Sequence, residues 1–400
     1  MEQINDLALK NFREYLRIPS VHPNVNYNDC VKFLKQLAED IDLPIEVIRV
    51  KPTKPVVLIT WKGERPDLPS ILLNSHMDVV PVFEDKWKYK PFAADIDNGK
   101  IYARGSQDMK SIGIQYLEAI RRLKIKGNIC KRNVHVCFVP DEEIGGEEGM
   151  KLFVQSEEFK KLNVGVSFDE SYASRTNEFV VFYDERVCRQ FSIHCKGASG
   201  HGSFLLENTP GEKITYILNK FYEFRDSQRE LLKSNIHIER GQVTTINCTR
   251  ISGGVQDNVI PCEMTISFDC RVPSSNLETF EKMMNQWCKD AGEDCDIEYH
   301  QKNYPASQTK LDDSNIYWKA FERVSMQMGF KLKPEICPGT TDSRYLRQIG
   351  IPAFGFSPIN NTVPLLHAHN EFLRVETFLK GIDVYCSVIY ELANIVENNY

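Results

Sequence analysis

Residues 133–146 read NVHVCFVPDEEIGG, a continuous apolar run that ends in three acids and a Gly-Gly pair. An apolar strand without polar alternation is typical of a sheet covered on both faces. Similar runs recur along the chain, and amphipathic helical patterns separate them, the clearest over residues 109–123. The other runs are PVVLIT (55–60), SILLNS (70–75), NVGVSF (163–168) and IPAFGF (351–356). This alternation predicts an α/β domain with helices on both faces of its sheet.

The pattern changes near residue 189, where the predicted elements follow in the order β-α-β-β-α-β, which is typical of a ferredoxin-like domain. The predicted strands lie in 189–197, 241–254, 258–272 and 295–301, and the predicted helices in 211–225 and 277–291. After residue 306 the chain returns to the α/β pattern. We therefore predict a two-domain protein. An α/β catalytic domain, residues 1–188 and 307–400, is interrupted by an inserted domain, residues 189–306.

Composition and charge exclude several classes of protein. The 400 residues carry 49 Lys and Arg against 55 Asp and Glu, a net charge of −6, which argues against a protein that binds nucleic acid through phosphate contacts. No apolar run reaches the roughly 20 residues that span a bilayer, and the N-terminal residues do not resemble a signal peptide. The twelve cysteines form no CxxC pair, so we expect reduced thiols, no zinc finger and a cytoplasmic location.

Metal-binding residue types follow several of the predicted strands. Open α/β sheets bind ligands beyond the carboxyl ends of their strands, so we expect these side chains to lie close together. They are His76, Asp78, Asp108, Glu142, Glu143, Asp169, Glu170, His367, His369 and Glu371. A single catalytic zinc ion needs only three protein ligands and an open position. The larger set predicts a pair of metal ions and hydrolytic chemistry.

Seven motifs together resemble the dinuclear-zinc peptidases and amidohydrolases, a family that includes glutamate carboxypeptidase and acetylornithine deacetylase. They are SHMDVVP (75–81), ARGSQDMKS (103–111), VPDEEIGG (139–146), FDE (168–170), GASGHGS (197–203), GGVQDNVIP (253–261) and LLHAHNE (365–371). The resemblance implies a zinc-peptidase-like catalytic domain with an inserted lid and dimerisation domain, two Zn²⁺ per subunit and a homodimer. Several stretches look like the branch that hydrolyses N-acyl-L-amino acids to a carboxylate and a free L-amino acid. A dipeptidase or carboxypeptidase with the same metal chemistry is the alternative, and a non-catalytic binding protein is a third interpretation.

The resemblance also implies the metal ligands: His76, Asp108, Glu143, Glu170 and His367, with Asp108 bridging the two ions. Chemistry alone leaves two choices open, His367 or His369 and Glu170 or Asp169. The family's spacing favours His367 and Glu170. It also implies a cis peptide bond between Asp108 and Met109.

Six further residues complete the predicted site. Glu142 is the candidate general base, and Asp78 is expected to accept the second N–H of the His76 imidazole. The resemblance implies that His201 and Asn258 reach the active site of a neighbouring subunit and stabilise the oxyanion. Arg344 is the candidate for the substrate carboxylate, with an ion pair to Asp342 as its structural alternative, and Arg271 is a weaker candidate.

Overall fold

The apolar runs form the centre of a large sheet in a computed structural model that describes residues 2–395. In chain order the strands are β1 (Ile45–Lys51), β2 (Lys54–Trp61), β3 (Ser70–His76), β4 (Asp95–Asp97), β5 (Lys100–Tyr102), β6 (Val134–Val139), β7 (Val164–Asp169), β8 (Glu178–Glu185), β9 (Val187–Lys196), β10 (Gly200–His201), β11 (Thr245–Gly253), β12 (Val259–Ile260), β13 (Glu263–Val272), β14 (Cys295–Lys302), β15 (Lys331–Cys337), β16 (Ala353–Phe356) and β17 (Phe372–Arg374). The α-helices are α1 (Glu2–Leu16), α2 (Asn28–Ile41), α3 (Lys110–Ile125), α4 (Met150–Phe153), α5 (Glu157–Lys161), α6 (Pro210–Ser234), α7 (Leu277–Asp290), α8 (Ile316–Met328), α9 (Ser343–Gln348) and α10 (Val375–Ala393).

The chain divides into two units. The first contains the residues up to Tyr183, Ser307–Glu335 and the residues from Thr341, and the second contains Asp184–Ala306 and Ile336–Thr340. The change of unit falls after Tyr183 rather than at the expected residue 188. Arg186 explains this position, because its guanidinium donates to the carbonyl oxygens of Pro338 and Val243 within the second unit.

The first unit has an eight-stranded mixed sheet in the order β1-β2-β6-β3-β7-β16-β8-β15. Its central strands β6, β3, β7 and β16 are parallel, so their carboxyl ends share one edge. β3 and β6 are buried along their whole length, as their unbroken apolar runs predict. The last residues of these two strands, His76 and Val139, are register partners. The acidic turn after Val139, residues 141–146, therefore begins beside His76.

Close packing fixes α3, the helix that begins just after Asp108, against the same two strands. A Cβ atom added at Gly113 would lie 2.5 Å from the Phe138 ring and 2.7 Å from the Ser75 hydroxyl. Only glycine allows the helix to approach the sheet this closely. The contact fixes the start of α3, and with it Asp108, relative to the end of β3.

The second unit has an antiparallel sheet in the order β11-β13-β9-β14, and α6 and α7 pack against it. The chain order of its main elements is β-α-β-β-α-β, so the ferredoxin-like expectation is confirmed. Its core contains Phe221 of α6, whose ring stacks on Phe268 of β13 with centroids 4.2 Å apart. β10 and β12 form a separate two-stranded ribbon, in which His201 lies opposite Val259.

Helix α6 extends to Ser234, well beyond the predicted end at residue 225. Its last turns are exposed and carry ion pairs between Asp226 and Arg229 (3.4 Å) and between Glu230 and Lys233 (3.2 Å). Pairs three residues apart stabilise a helix without an apolar face, which explains why hydrophobic periodicity did not detect this part. Among residues 2–395, no helix is both long enough and apolar enough to cross a membrane.

Candidate metal centre

Two clusters of potential ligands meet at Asp108. Ligand atoms of His76, Asp108 and Glu170 lie within 4.8 Å of one another, and so do those of Asp108, Glu143 and His367. The Asp108 Oδ1 atom is 3.0 Å from Nε2 of His76, and its Oδ2 atom is 3.2 Å from Nε2 of His367. Each oxygen of one carboxylate thus faces a different histidine. This arrangement allows a carboxylate to bridge two cations.

The remaining carboxylates complete the two clusters. Glu170 Oε1 lies 3.6 Å from Nε2 of His76, and Glu143 Oε2 lies 3.0 Å from Nε2 of His367. Each cluster therefore offers one imidazole nitrogen and two carboxylates, with Asp108 shared. Three protein ligands leave a position for water or substrate on a tetrahedral ion.

Hydrogen bonding prepares His76 to bind a cation through Nε2. Its Nδ1 atom lies 2.8 Å from the backbone carbonyl oxygen of Asp78. A carbonyl oxygen can only accept, so Nδ1 carries a proton, and Nε2, which faces Asp108 and Glu170, is the nitrogen that can bind a cation. In the second cluster, the buried Oε1 atom of Glu143 has no hydrogen-bond partner among residues 2–395. Both observations fit a divalent cation such as Zn²⁺.

The charges of the cluster also favour a cation. Burial, followed by the nearby Asp108 carboxylate, raises the pKa of Glu143 and raises that of Glu170 well above its usual value. Hydrogen bonds to Asp108 and Glu143 raise the pKa of His367 to about 10. Several carboxylates therefore crowd together in a poorly solvated place, and a divalent ion would relieve their repulsion.

The residues of the two open ligand choices lie in different surroundings. His367 faces Asp108 and Glu143, whereas the His369 ring packs edge-on against Phe83 with centroids 6.1 Å apart. Asp169 is directed away from the clusters. Its carboxylate accepts from the Asn74 side chain (3.3 Å), the Glu170 amide (2.9 Å) and the Ser343 hydroxyl (3.0 Å). The peptide bond between Asp108 and Met109 is cis, which confirms that expectation.

Asp78 does not act in the expected way. Its backbone carbonyl, rather than its carboxylate, accepts the Nδ1–H of His76, and the carboxylate Oδ1 lies 3.9 Å from that nitrogen. The carboxylate instead accepts the amide N–H groups of Glu142 (3.3 Å) and Glu143 (3.0 Å). The expectation was wrong in its acceptor atom, because the acidic turn lies closer to the carboxylate. Asp78 therefore connects the candidate ligand His76 to the acidic turn.

Glu142 lies in the 3₁₀ turn Glu142–Ile144, directly after β6. Burial, followed by the field of Glu170, raises its pKa well above the usual range for a glutamate. A carboxylate in this environment accepts a proton readily, as a general base must. Adjacent residues in one turn point in different directions, so Glu143 can face a cluster while Glu142 remains available.

Arg344 contributes to the same turn. It is 3% exposed, and its guanidinium donates to the carbonyl oxygens of Thr341 (2.6 Å) and Gly145 (2.5 Å). Its plane also lies over the Tyr345 ring, 4.5 Å from the centroid. The structure thus places Arg344 directly behind the acidic turn.

The three other predicted residues belong to the second unit. His201 and Asn258 lie on the exposed ribbon formed by β10 and β12 and in the loop before β12. The Ser203 amide donates to Nδ1 of His201 (3.2 Å), so that nitrogen is an acceptor and Nε2 carries the proton. Arg271 makes a two-bond contact with Asp269 on its own strand, at 2.8 and 3.1 Å.

Sequence reasoning did not assign the role of Glu371 and missed His22 altogether. Glu371 is buried and accepts from Arg104 (2.8 Å) and from the amides of Gly105 (3.2 Å) and Gln107 (2.6 Å), so it organises the loop that carries Asp108. His22 lies 2.9 Å from Asp78. Glu371 was expected among the metal-binding residue types but without this role. His22 had no signal, because a histidine in a loop between helices has no periodicity.

Comparison with known proteins shows the family of this chain. Residues 72–391 match the family described as Peptidase family M20/M25/M40. The chain is 46% identical to aminoacylase-1 of Mus musculus and of Homo sapiens over 386 residues, 96% of this chain and 95% of each relative, and 43% identical to aminoacylase-1 of Dictyostelium discoideum. Among solved structures, an M20 family metallo-carboxypeptidase from Sulfolobus solfataricus has the same fold (TM-score 0.76, 19% identity, 97% of this chain and 99% of that one). This chain therefore belongs to peptidase family M20/M25/M40.

Proposed function

We propose that this metallohydrolase cleaves the amide bond of N-acyl-L-amino acids with two Zn²⁺ ions per subunit, giving a carboxylate and a free L-amino acid. The observation that carries the proposal is Asp108, whose two oxygens face two different histidines. The relatives named aminoacylase-1 support the substrate class, since they match nearly the whole chain at 46% identity. A relative named probable carboxypeptidase S-like 1 is only 24% identical, which makes the peptidase alternative the weaker one.

In this proposal His76, Asp108 and Glu170 hold one ion, and Asp108, Glu143 and His367 hold the other. Bound there, the ions would polarise the scissile carbonyl and lower the pKa of a water molecule. Glu142 takes a proton from that water, and the resulting hydroxide adds to the carbonyl carbon. Glu142 then passes the proton to the leaving nitrogen as the C–N bond breaks. A positioned acid–base group of this kind contributes about 10²- to 10⁴-fold to the rate.

His201 and Asn258 are proposed to stabilise the oxyanion from a neighbouring subunit. The tautomer of His201 supports this role, because the N–H on Nε2 remains available as a donor. Phe204 and Leu205 beside it are 63% and 103% exposed. Large exposed apolar side chains next to proposed catalytic donors indicate a surface that another subunit covers. We therefore propose a homodimer.

Two arginines are proposed to bind the carboxylate of the substrate. Arg344 is the leading candidate, since it lies against the turn that carries Glu142 and Glu143, although its guanidinium already donates to the carbonyl oxygens of Thr341 and Gly145. Arg271 is the second candidate, although its contact with Asp269 already uses part of its donor set. A cytoplasmic location is also proposed, and the twelve free cysteines support a reducing compartment.

The test combines hydrolysis of N-acetyl-L-methionine with metal analysis. We expect Glu142→Gln to lower kcat by about 10²- to 10⁴-fold while the metal content stays near two ions per chain. Glu148→Gln is the matched control, since Glu148 lies in the same acidic stretch but pairs with Lys51 at the surface. Wild-type turnover by Glu142→Gln would overturn the base assignment, and loss of a metal ion with the activity would make Glu142 a ligand. Faster cleavage of a dipeptide than of N-acetyl-L-methionine would overturn the substrate class.

A further inference from the structure

We infer that His22 is a positioning residue, which holds the catalytic acidic turn in place through Asp78. The turn is defined as residues 141–146. The contacts that fix the turn all lie within the first unit. Their effect on turnover rests on the proposed roles of Glu142 and Glu143.

The contacts of His22 are short and buried. His22 is 7% exposed, and its Nε2 atom lies 2.9 Å from Oδ2 of Asp78, which is fully buried. An ionised carboxylate can only accept, so Nε2 of His22 donates. Backbone bonds fix the histidine as well, since its amide donates to the Val79 carbonyl (3.3 Å) and the Val79 amide donates to the Ser20 carbonyl (2.9 Å). His22 is therefore tied by backbone and side chain to the segment around Asp78.

Asp78 transmits this contact to the turn. Its carboxylate accepts three donors: Nε2 of His22 and the amides of Glu142 and Glu143, the two residues with the proposed roles of base and ligand. These amide bonds fix the direction of the backbone, and that direction decides where the two neighbouring side chains point. A change in the Asp78 carboxylate therefore moves both side chains together.

The loop that supplies His22 contacts the start of the turn as well. The Tyr27 hydroxyl donates to Oδ1 of Asp141 (2.7 Å) and accepts the Asp141 amide N–H (3.0 Å). Asp141 is buried and has a positive φ of 65°, a conformation that a residue other than glycine keeps only when its surroundings hold it. Residues 22–27 thus hold the acidic turn at two points, directly at Asp141 and through Asp78 at Glu142 and Glu143.

The experiment compares His22→Leu with His22→Gln, whose side-chain amide restores an N–H donor. His135→Leu is the matched control, because His135 is a second buried histidine of the first unit whose Nδ1 atom contacts the Thr60 hydroxyl. Hydrogen exchange of the peptide covering 140–149 is measured on metal-free protein, and kcat and KM for N-acetyl-L-methionine on the metal-loaded protein. Because His22 bonds to a charged carboxylate, we expect His22→Leu to lower kcat by about tenfold to a hundredfold at unchanged KM.

The expected result is faster exchange over 140–149 and a lower kcat in His22→Leu, near wild-type behaviour in His22→Gln, and no change over 140–149 in His135→Leu. Unchanged exchange in His22→Leu would overturn the inference, whatever Glu142→Gln does. Equal effects in His22→Leu and His135→Leu would overturn it too, since they indicate general destabilisation. Faster exchange together with full turnover in His22→Leu would refute the claim that fixing the acidic turn is needed for catalysis. Failure of the proposed function appears separately, as full turnover by Glu142→Gln.

Discussion

Replacing Gly146 with alanine is expected to destabilise the first unit by more than the backbone conformation alone explains. Gly146 ends the acidic turn with a φ of +63°, and a Cβ atom there would lie 2.4 Å from Oδ1 of Asp342 and 3.1 Å from the Tyr345 ring. Asp342 is fully buried, so its carboxylate cannot turn into solvent to make room. The substitution therefore adds a steric conflict to an unfavourable φ.

The two contributions can be separated. A left-handed conformation costs a residue with a Cβ about 1–2 kcal/mol, and overfilling a packed interior costs about 1–3 kcal/mol more. Gly127→Ala measures the first contribution alone, because Gly127 has a φ of +74° and no heavy atom within 4 Å of the added Cβ. We expect a loss of about 1–2 kcal/mol for Gly127→Ala and about 2–5 kcal/mol for Gly146→Ala.

The assay is urea unfolding of the metal-free protein, followed by tryptophan fluorescence. Trp61, Trp87 and Trp318 belong to the first unit, so the signal reports mainly on that unit. Removing metal excludes a change in metal affinity as the source of the difference. If the two variants lost the same free energy of unfolding within about 0.5 kcal/mol, the carboxylate of Asp342 would not be packed against the turn as described.

Two other predictions concern pH and subunit exchange. Burial lowers the pKa of His135 to about 4, so the unfolded chain binds this proton between pH 6.5 and 4 and the folded chain does not. The contribution of neutral His135 to the free energy of unfolding is fully present above pH 6.5 and is lost as the pH falls toward 4. Wild type should therefore lose about 2 kcal/mol more free energy of unfolding than His135→Gln between pH 7.5 and pH 5. Equal losses would contradict a lowered pKa of His135. Mixing inactive Glu142→Ala and His201→Ala subunits should restore about a quarter of wild-type turnover, since half of randomly mixed dimers contain one intact shared site. No recovery would show that each site uses its own chain only.

The candidate ligands could be located from the sequence because of one topological rule. His76 is the last residue of β3 and Glu170 directly follows β7, and parallel strands end at the same edge of a sheet. The pairing of His367 with Glu143 could not be read from spacing, since the two residues lie far apart in the chain. The resemblance to a known family named both residues as ligands without assigning them to the same ion, and the structure brings the two side chains to 3.0 Å.

Contacts that depend on side-chain direction could not be predicted from the sequence. The spacing of His76 and Asp78 indicated a hydrogen bond between them, but the backbone carbonyl of Asp78 makes it and the carboxylate turns to the acidic turn. His22 could not be connected to that carboxylate, because their contact arises only after the chain has folded. β8 was not anticipated either. It adds an antiparallel strand beside β16, and local patterns do not reveal strand direction.

The two histidines that face Asp108 come from the first and the last parts of the chain. During translation His76, Asp108 and Glu170 leave the ribosome before the inserted domain, and His367 follows it. Glu371, whose carboxylate organises the loop that carries Asp108, also follows the inserted domain. A ribosome adds about 5–20 residues per second. Neither group of candidate ligands can therefore take its final arrangement until the second part of the α/β domain has been synthesised, seconds after the first part.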